Sequence, residues 1–165
     1  MEFAKIVLGS IAAAIVYGIL HDQVTARICL EYFTVFHPHI SGPQTATWLG
    51  LAWGVIATWW VGAGLGVCLG IAARVGRLPK MPARPLTPMV GKLLAVMAVC
   101  AAVAGLIGYL SEGIPAEYPQ MLPEQLHRRF AADFWAQNAS YLTGILGGIG
   151  LCIHILMRRR AARAS

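Results

Sequence analysis

The chain has 165 residues, 58% of them hydrophobic and only 12% charged, with a net charge of +6 and a mean hydropathy of +0.64. Soluble domains carry about 25% charged residues, so this composition excludes an ordinary water-soluble fold and predicts a membrane protein. The positive charge implies no nucleic acid, because the basic residues occupy segments that four membrane crossings gather on one side.

The first apolar run spans residues 3–20. A retained helix is expected here in place of a removable signal peptide: "MEFAK" carries one Lys offset by Glu2, and no small-residue cleavage site leads into a polar region. From Ile6 to Leu20 there are 15 residues, about 22 Å at helical rise, which falls short of a hydrocarbon core of about 30 Å. The helix is therefore predicted to continue through His21, Asp22, Gln23 and Thr25 to about residue 33, since no proline occurs before Pro38. Gln23, Arg27 and Glu31 are spaced i, i+4, i+8 and share one face, which would let Arg27 and Glu31 pair. His37 and His39 flank Pro38, where extended backbone places alternate side chains on one side.

Further apolar runs occupy about 48–73, 89–110 and 134–157. Gly50 and Gly54, Gly62, Gly66 and Gly70, Ala101 and Gly105, and Gly144 and Gly148 recur every four residues, a pattern that lets helices approach closely in lipid. No run is visibly broken, which argues against a transporter. The connector "ARVGRLPKMPARPLTP" is short, basic and proline-rich, with no core of its own. Between residues 111 and 133, "LPEQLHRRFAADFW" places Leu126, Phe130 and Phe134 at i, i+4, i+8 after Pro123. This predicts a short interfacial helix before the fourth crossing.

Ten of the 13 basic residues then fall on one side: Lys5, Arg74, Arg77, Lys80, Arg84, Lys92, Arg158, Arg159, Arg160 and Arg163. The other side carries Arg27, Arg128 and Arg129 against Asp22, Glu31, Glu112, Glu117, Glu124 and Asp133. The positive-inside rule sets both termini in the cytoplasm, with the basic segments against anionic lipid. Trp48, Trp53, Tyr109, Tyr118 and Trp135 suit an aromatic belt, whereas Trp59 and Trp60 fall mid-helix as lipid-facing bulk or a cofactor wall.

Counting twenty residues back from Met157 reaches Asn138, so Gln137, Asn138, Ser140 and Tyr141 lie at the depth of His21, Asp22 and Thr25. Polar groups at such depth face one another or a wet cavity. The candidate polar site is therefore His21, Asp22, Gln23, Arg27, Glu31, Gln137, Asn138 and Ser140. A metal reading would use His21, Asp22, His37, His39 and His127 to hold zinc, copper or iron, since imidazole and carboxylate suit all three. No zinc signature supports that spacing, and a satisfied polar cap is the plainer alternative. His154 stands alone in its helix, so a paired-histidine haem site is not expected. Cys68, Cys100 and Cys152 lie within apolar runs, Cys29 has no outer partner and no CxxC occurs, which argues against thiol redox chemistry.

The phrase "HDQVTARICLEYFTVFHP" (21–38) resembles one found in small bacterial membrane proteins, close to HDQ-x-TAR-x-C-x-EYFT-x-x-HP. "WLGLAWGVIATWWVG" (48–62) and "NASYLTGILGG" (138–148) look like its companion segments. The resemblance implies a multi-pass protein of the bacterial inner membrane and brings no activity with it. The expected architecture is all-α: an integral membrane four-helix bundle forming a single domain over 1–165, with helices at about 3–33, 48–73, 89–110 and 134–157. Two function classes stay open. One is a non-catalytic membrane protein with a polar site at the periplasmic face, including a homo-oligomer or the partner of another membrane protein. The other is a metal-binding membrane enzyme or metal-handling protein at that face.

Overall fold

A computed structural model describes residues 1–115 and 118–164, and Glu117 lies outside them. The described chain is helical, without a strand. Its helices are α1 (Glu2–Ile28), α2 (Leu30–Val35), α3 (Ala46–Ile56), α4 (Trp59–Arg74), α5 (Leu86–Ser111) and α6 (His127–Ala164). Four stretches are long and apolar enough to cross a membrane: Glu2–Ile28, Ala46–Arg74, Leu86–Ser111 and Glu124–Arg163.

Three expectations are corrected. First, the opening helix does not run unbroken to residue 33. It stops at Cys29, whose backbone is extended (φ −141°, ψ 96°), and α2 restarts in a new direction. The break forfeits little hydrogen bonding, because the Cys29 amide still donates to Thr25 O (3.0 Å) and its carbonyl accepts from Tyr32 N (3.3 Å). It also buries Cys29 against Leu122 and Phe130. With the helix redirected, Arg27 and Glu31 no longer share a face, and no ion pair joins them among the described residues.

Second, the second crossing is interrupted at Ala57–Thr58, between α3 and α4. Neither proline nor glycine causes this. The Thr58 hydroxyl donates to Gly54 O at 2.5 Å while the Thr58 amide turns back to Val55 O (3.3 Å), so a side chain competes with the helical ladder. Third, no separate interfacial helix forms among the described residues. Pro119–Met121 and Glu124–Leu126 are single 3₁₀ turns, and α6 runs continuously from His127 through the Phe130 and Phe134 stripe. That stripe is not spread on lipid. Phe130 is fully buried, with ring centroids 5.6 Å from Tyr32, 4.7 Å from Phe36 and 5.2 Å from Tyr118.

The helices pack as two hairpins. α1 lies along α3 and α4, and α5 lies along α6. Glycine sets the first spacing: a Cβ on Gly54 would stand 2.6 Å from the Ile19 backbone, and one on Gly62 2.7 Å from Ala14 Cβ. Such backbone-close contact supplies dispersion and packing where lipid offers no hydrophobic drive. In the second hairpin Gly105 meets Ala132 O in the same way (3.1 Å). The seam between hairpins is thinner, made chiefly by α4 against α6, with α1 approaching α5 and α6 only locally.

Both termini share one end with the 75–85 connection. Glu2 Oε2 accepts from Ala83 N (2.9 Å), and Arg159, 2% exposed, reaches the same connection. Its guanidinium donates to Pro79 O (2.8 Å), Val75 O (3.0 Å), Leu78 O (3.0 Å) and Ala72 O. The carbonyls left open at the C-terminus of α4 are thereby satisfied by a cation, which also suits the negative end of the helix dipole. We call this the basic end and the opposite one the aromatic end. Between them the outward surface is apolar (Leu8, Leu20, Val99, Leu106, Leu146), whereas the buried positions include Ser10, Asp22, Thr25, Asp133 and Ser140.

Candidate functional site

The site is built where α1 and α6 meet, toward the aromatic end. Helical phase decides its membership. Residues 22 and 23 point about 100° apart on a helix of 3.6 residues per turn. Asp22 therefore turns to α6 and accepts from Gln137 Nε2 at 3.0 Å, 5% exposed. Gln23 turns to α3 and donates to Thr47 O (2.9 Å). Arg27 follows Gln23, bonding to its side chain (2.7 Å), its carbonyl and Thr47 Oγ1 (3.0 Å). One turn before His21, Tyr17 shares a 2.7 Å hydrogen bond with Ser140, and its ring stacks on His21 with centroids 5.7 Å apart.

Of the eight candidates, the structure thus brings together His21, Asp22, Gln137 and Ser140. It does not bring the other four. Gln23 and Arg27 tether the start of α3, and Glu31 lies beyond the Cys29 break, where its carboxylate accepts a long bond from Cys29 Sγ (3.7 Å). Asn138 points outward and donates to Phe134 O (2.7 Å).

The five residues of the metal reading are likewise separated. His37 shares a hydrogen bond between Nδ1 and Tyr32 O (2.8 Å) and sits among Tyr32, Phe33 and Trp53. His127 Nε2 bonds Leu122 O (3.2 Å), and His39 is exposed. Among the described residues, no three His, Cys, Asp or Glu side chains lie together in a way that would hold a metal ion. Backbone carbonyls have taken two of the four imidazoles that the sequence offered as ligands, those of His37 and His127. Trp59 and Trp60 face outward, although Trp60 also edges a cavity described below.

Asp133 is the residue that sequence reasoning placed wrongly, as a loop acid. It is fully buried, and neither carboxylate oxygen has a hydrogen-bond partner. The Cys29 amide is nearby but already donates to Thr25. Asp22 lies within electrostatic range, so two carboxyl groups share this interface, and no cation bonds either one among the described residues. The available signal was spacing: Asp133, Gln137 and Ser140 fall at i, i+4, i+7 on one helical face. His21 Nε2 is also buried without a partner. Just past the end of α1, burial pushes the Cys29 thiol up to about 12, so it stays protonated and unreactive.

Two cavities flank the Tyr17–His21 ring pair. A cleft of about 630 Å³ runs between α1 and α5 with Ala132 and Ala136 of α6 at its floor. A smaller cavity of about 180 Å³ lies between α1, α4, α5 and α6, bounded by Asp22, Gln137, Ser140 and the Ala57–Thr58 break. Tyr17 and His21 line both. Comparison with protein-family models, curated proteins and solved structures gives no match to this chain.

Proposed function

We propose that the chain is a multi-pass protein of the bacterial inner membrane with both termini in the cytoplasm. In this reading it acts as a binding protein whose site lies between its two hairpins, in the periplasmic half of the bilayer. The membrane reading is supported by four apolar crossings whose large hydrophobic side chains point outward while Asp22, Asp133 and Ser140 are buried. The orientation follows from the basic end, where the termini and the 75–85 connection cluster. The family phrase at 21–38 suits the same placement, since its Asp22 is in the site.

The observation that carries the binding reading is the orphaned Asp133 carboxyl beside the Asp22–Gln137 pair. A buried polar group without a partner costs about 1–3 kcal/mol, and such costs concentrate at functional sites. A non-helical step at membrane depth is tolerated where it lines a cavity, and the Ala57–Thr58 break does so. No metal is needed for this reading.

Two measurements test it. Reporter fusions after Ala46 should report periplasm and a fusion after Ala83 cytoplasm; the reverse pattern would overturn the orientation. For the site, the purified protein should melt roughly 2–4 °C higher in an extract of its own membrane lipids than in detergent alone, as ligand linkage requires. Gln137→Leu should remove most of that difference. An equal shift in both proteins would mean that the lipids act through the outer surface and not through the site.

A further inference from the structure

The α1–α5 cleft is formed by matching helical faces. Tyr17, His21, Thr25 and Ile28 line one wall, and Ala98, Ala102, Leu106 and Tyr109 the other. Each wall spans 12 residues, about 16 Å of helix, and the alanines on α5 leave the width. The cleft opens sideways on the outward surface, where these helices approach only locally. Its volume of about 630 Å³ lies within the range of roughly 300–1,000 Å³ typical of small-molecule sites.

The chemistry at its inner end restricts the occupant. Neither cavity has a Lys or Arg in its lining, and the buried Asp22 carboxyl borders the smaller one, behind the Tyr17–His21 pair. A phosphate head would find no cation there to offset its own charge. What the site does offer is an acceptor: Asp22 Oδ1 takes one hydrogen bond from Gln137, and Asp22 Oδ2 receives none among the described residues. Gln137 and the stacked Tyr17 and His21 rings stand beside it.

We propose that the cleft binds an uncharged lipid of the surrounding leaflet, with its hydrocarbon chain between α1 and α5 and a hydroxyl-bearing head donating to the Asp22 carboxyl past the Tyr17–His21 rings. This rests on the membrane-embedded site proposed above and names its ligand. Head entry requires the two rings to part, and the Tyr17–Ser140 hydrogen bond is the latch that holds them.

The test uses the full-length protein in nanodiscs of zwitterionic lipid, doped in separate arms with a prenylated hydroquinone, with dioleoylglycerol or with dioleoylphosphatidylglycerol. Native mass spectrometry then reads the retained lipid. The hydroquinone, the diacylglycerol or both should be retained at one per protein, and the arms tell an aromatic head from an aliphatic one. Ala102→Phe, which fills the cleft from its open side, should weaken retention roughly tenfold or more, and Asp22→Asn by a similar factor. Asp22→Asn keeps the size of the side chain, so it serves if the larger substitution fails to fold. Retention of neither neutral lipid, stronger retention of phosphatidylglycerol, or unchanged retention in Asp22→Asn would overturn the proposal. Failure here with the Gln137-dependent melting shift intact would leave the site and reject only its ligand.

Discussion

Two ionisable side chains are buried at opposite ends of α6, and they are treated in opposite ways. Arg159 spends its guanidinium on four backbone carbonyls of α4 and the connection that follows it. Asp133 is equally buried and has no partner on either oxygen. Burial of a charged group is therefore not one phenomenon in this protein. At the basic end it closes a helix terminus and completes the fold. At the aromatic end it leaves hydrogen-bonding capacity unused, on the face of α6 that also carries Gln137 and Ser140.

Truncation should separate the two roles by sign. Arg159→Ala leaves several buried carbonyls without donors and should cost about 3 kcal/mol of stability in detergent, measured by denaturant titration. A loss below about 1 kcal/mol would show that water replaces the guanidinium and that the clamp is dispensable. Close packing gives the next effect. Gly62→Leu must force α1 and α4 apart and should cost about 1–3 kcal/mol, whereas Gly64→Leu, whose Cβ direction is open, should stay within about 0.5 kcal/mol.

Asp133→Leu should move the other way, raising stability in lipid-free detergent by about 1–2 kcal/mol, because an unpartnered buried carboxyl is removed. Destabilisation there would mean that Asp133 has a structural partner after all, and the contrast with Arg159 would collapse. The smallest effect concerns Cys29, which is 1% exposed and protonated. Iodoacetamide at pH 8 should leave it unmodified in the folded protein and alkylate it after denaturation in SDS. Ready labelling of the native protein would show that the Cys29 break opens.

Much of the architecture was legible because lipid leaves few options. Apolar length marked the four stretches able to cross a membrane, and glycine spacing marked surfaces that pack. Depth was legible too: counting back along the last helix brought Gln137 and Ser140 level with Asp22. Helical phase was not, since neighbours such as Gln137 and Asn138 have the same depth and opposite directions, and only the partner helix selects between them. The breaks at Cys29 and Thr58 escaped because neither uses proline. One is bought by burial of a thiol under aromatic rings, the other by a hydroxyl capturing a carbonyl. Arg159 was hidden inside a run of arginines that topology alone explained.

The Arg159 clamp also has a consequence for how the protein is made. Its contact with Ala72 joins positions 87 residues apart in sequence. The first hairpin can form early, but the end of α4 stays open until the last turn of α6 has been synthesised. Assembly therefore finishes at the basic end. An unfinished chain would leave those carbonyls and the connection open, and only the completed one closes that end.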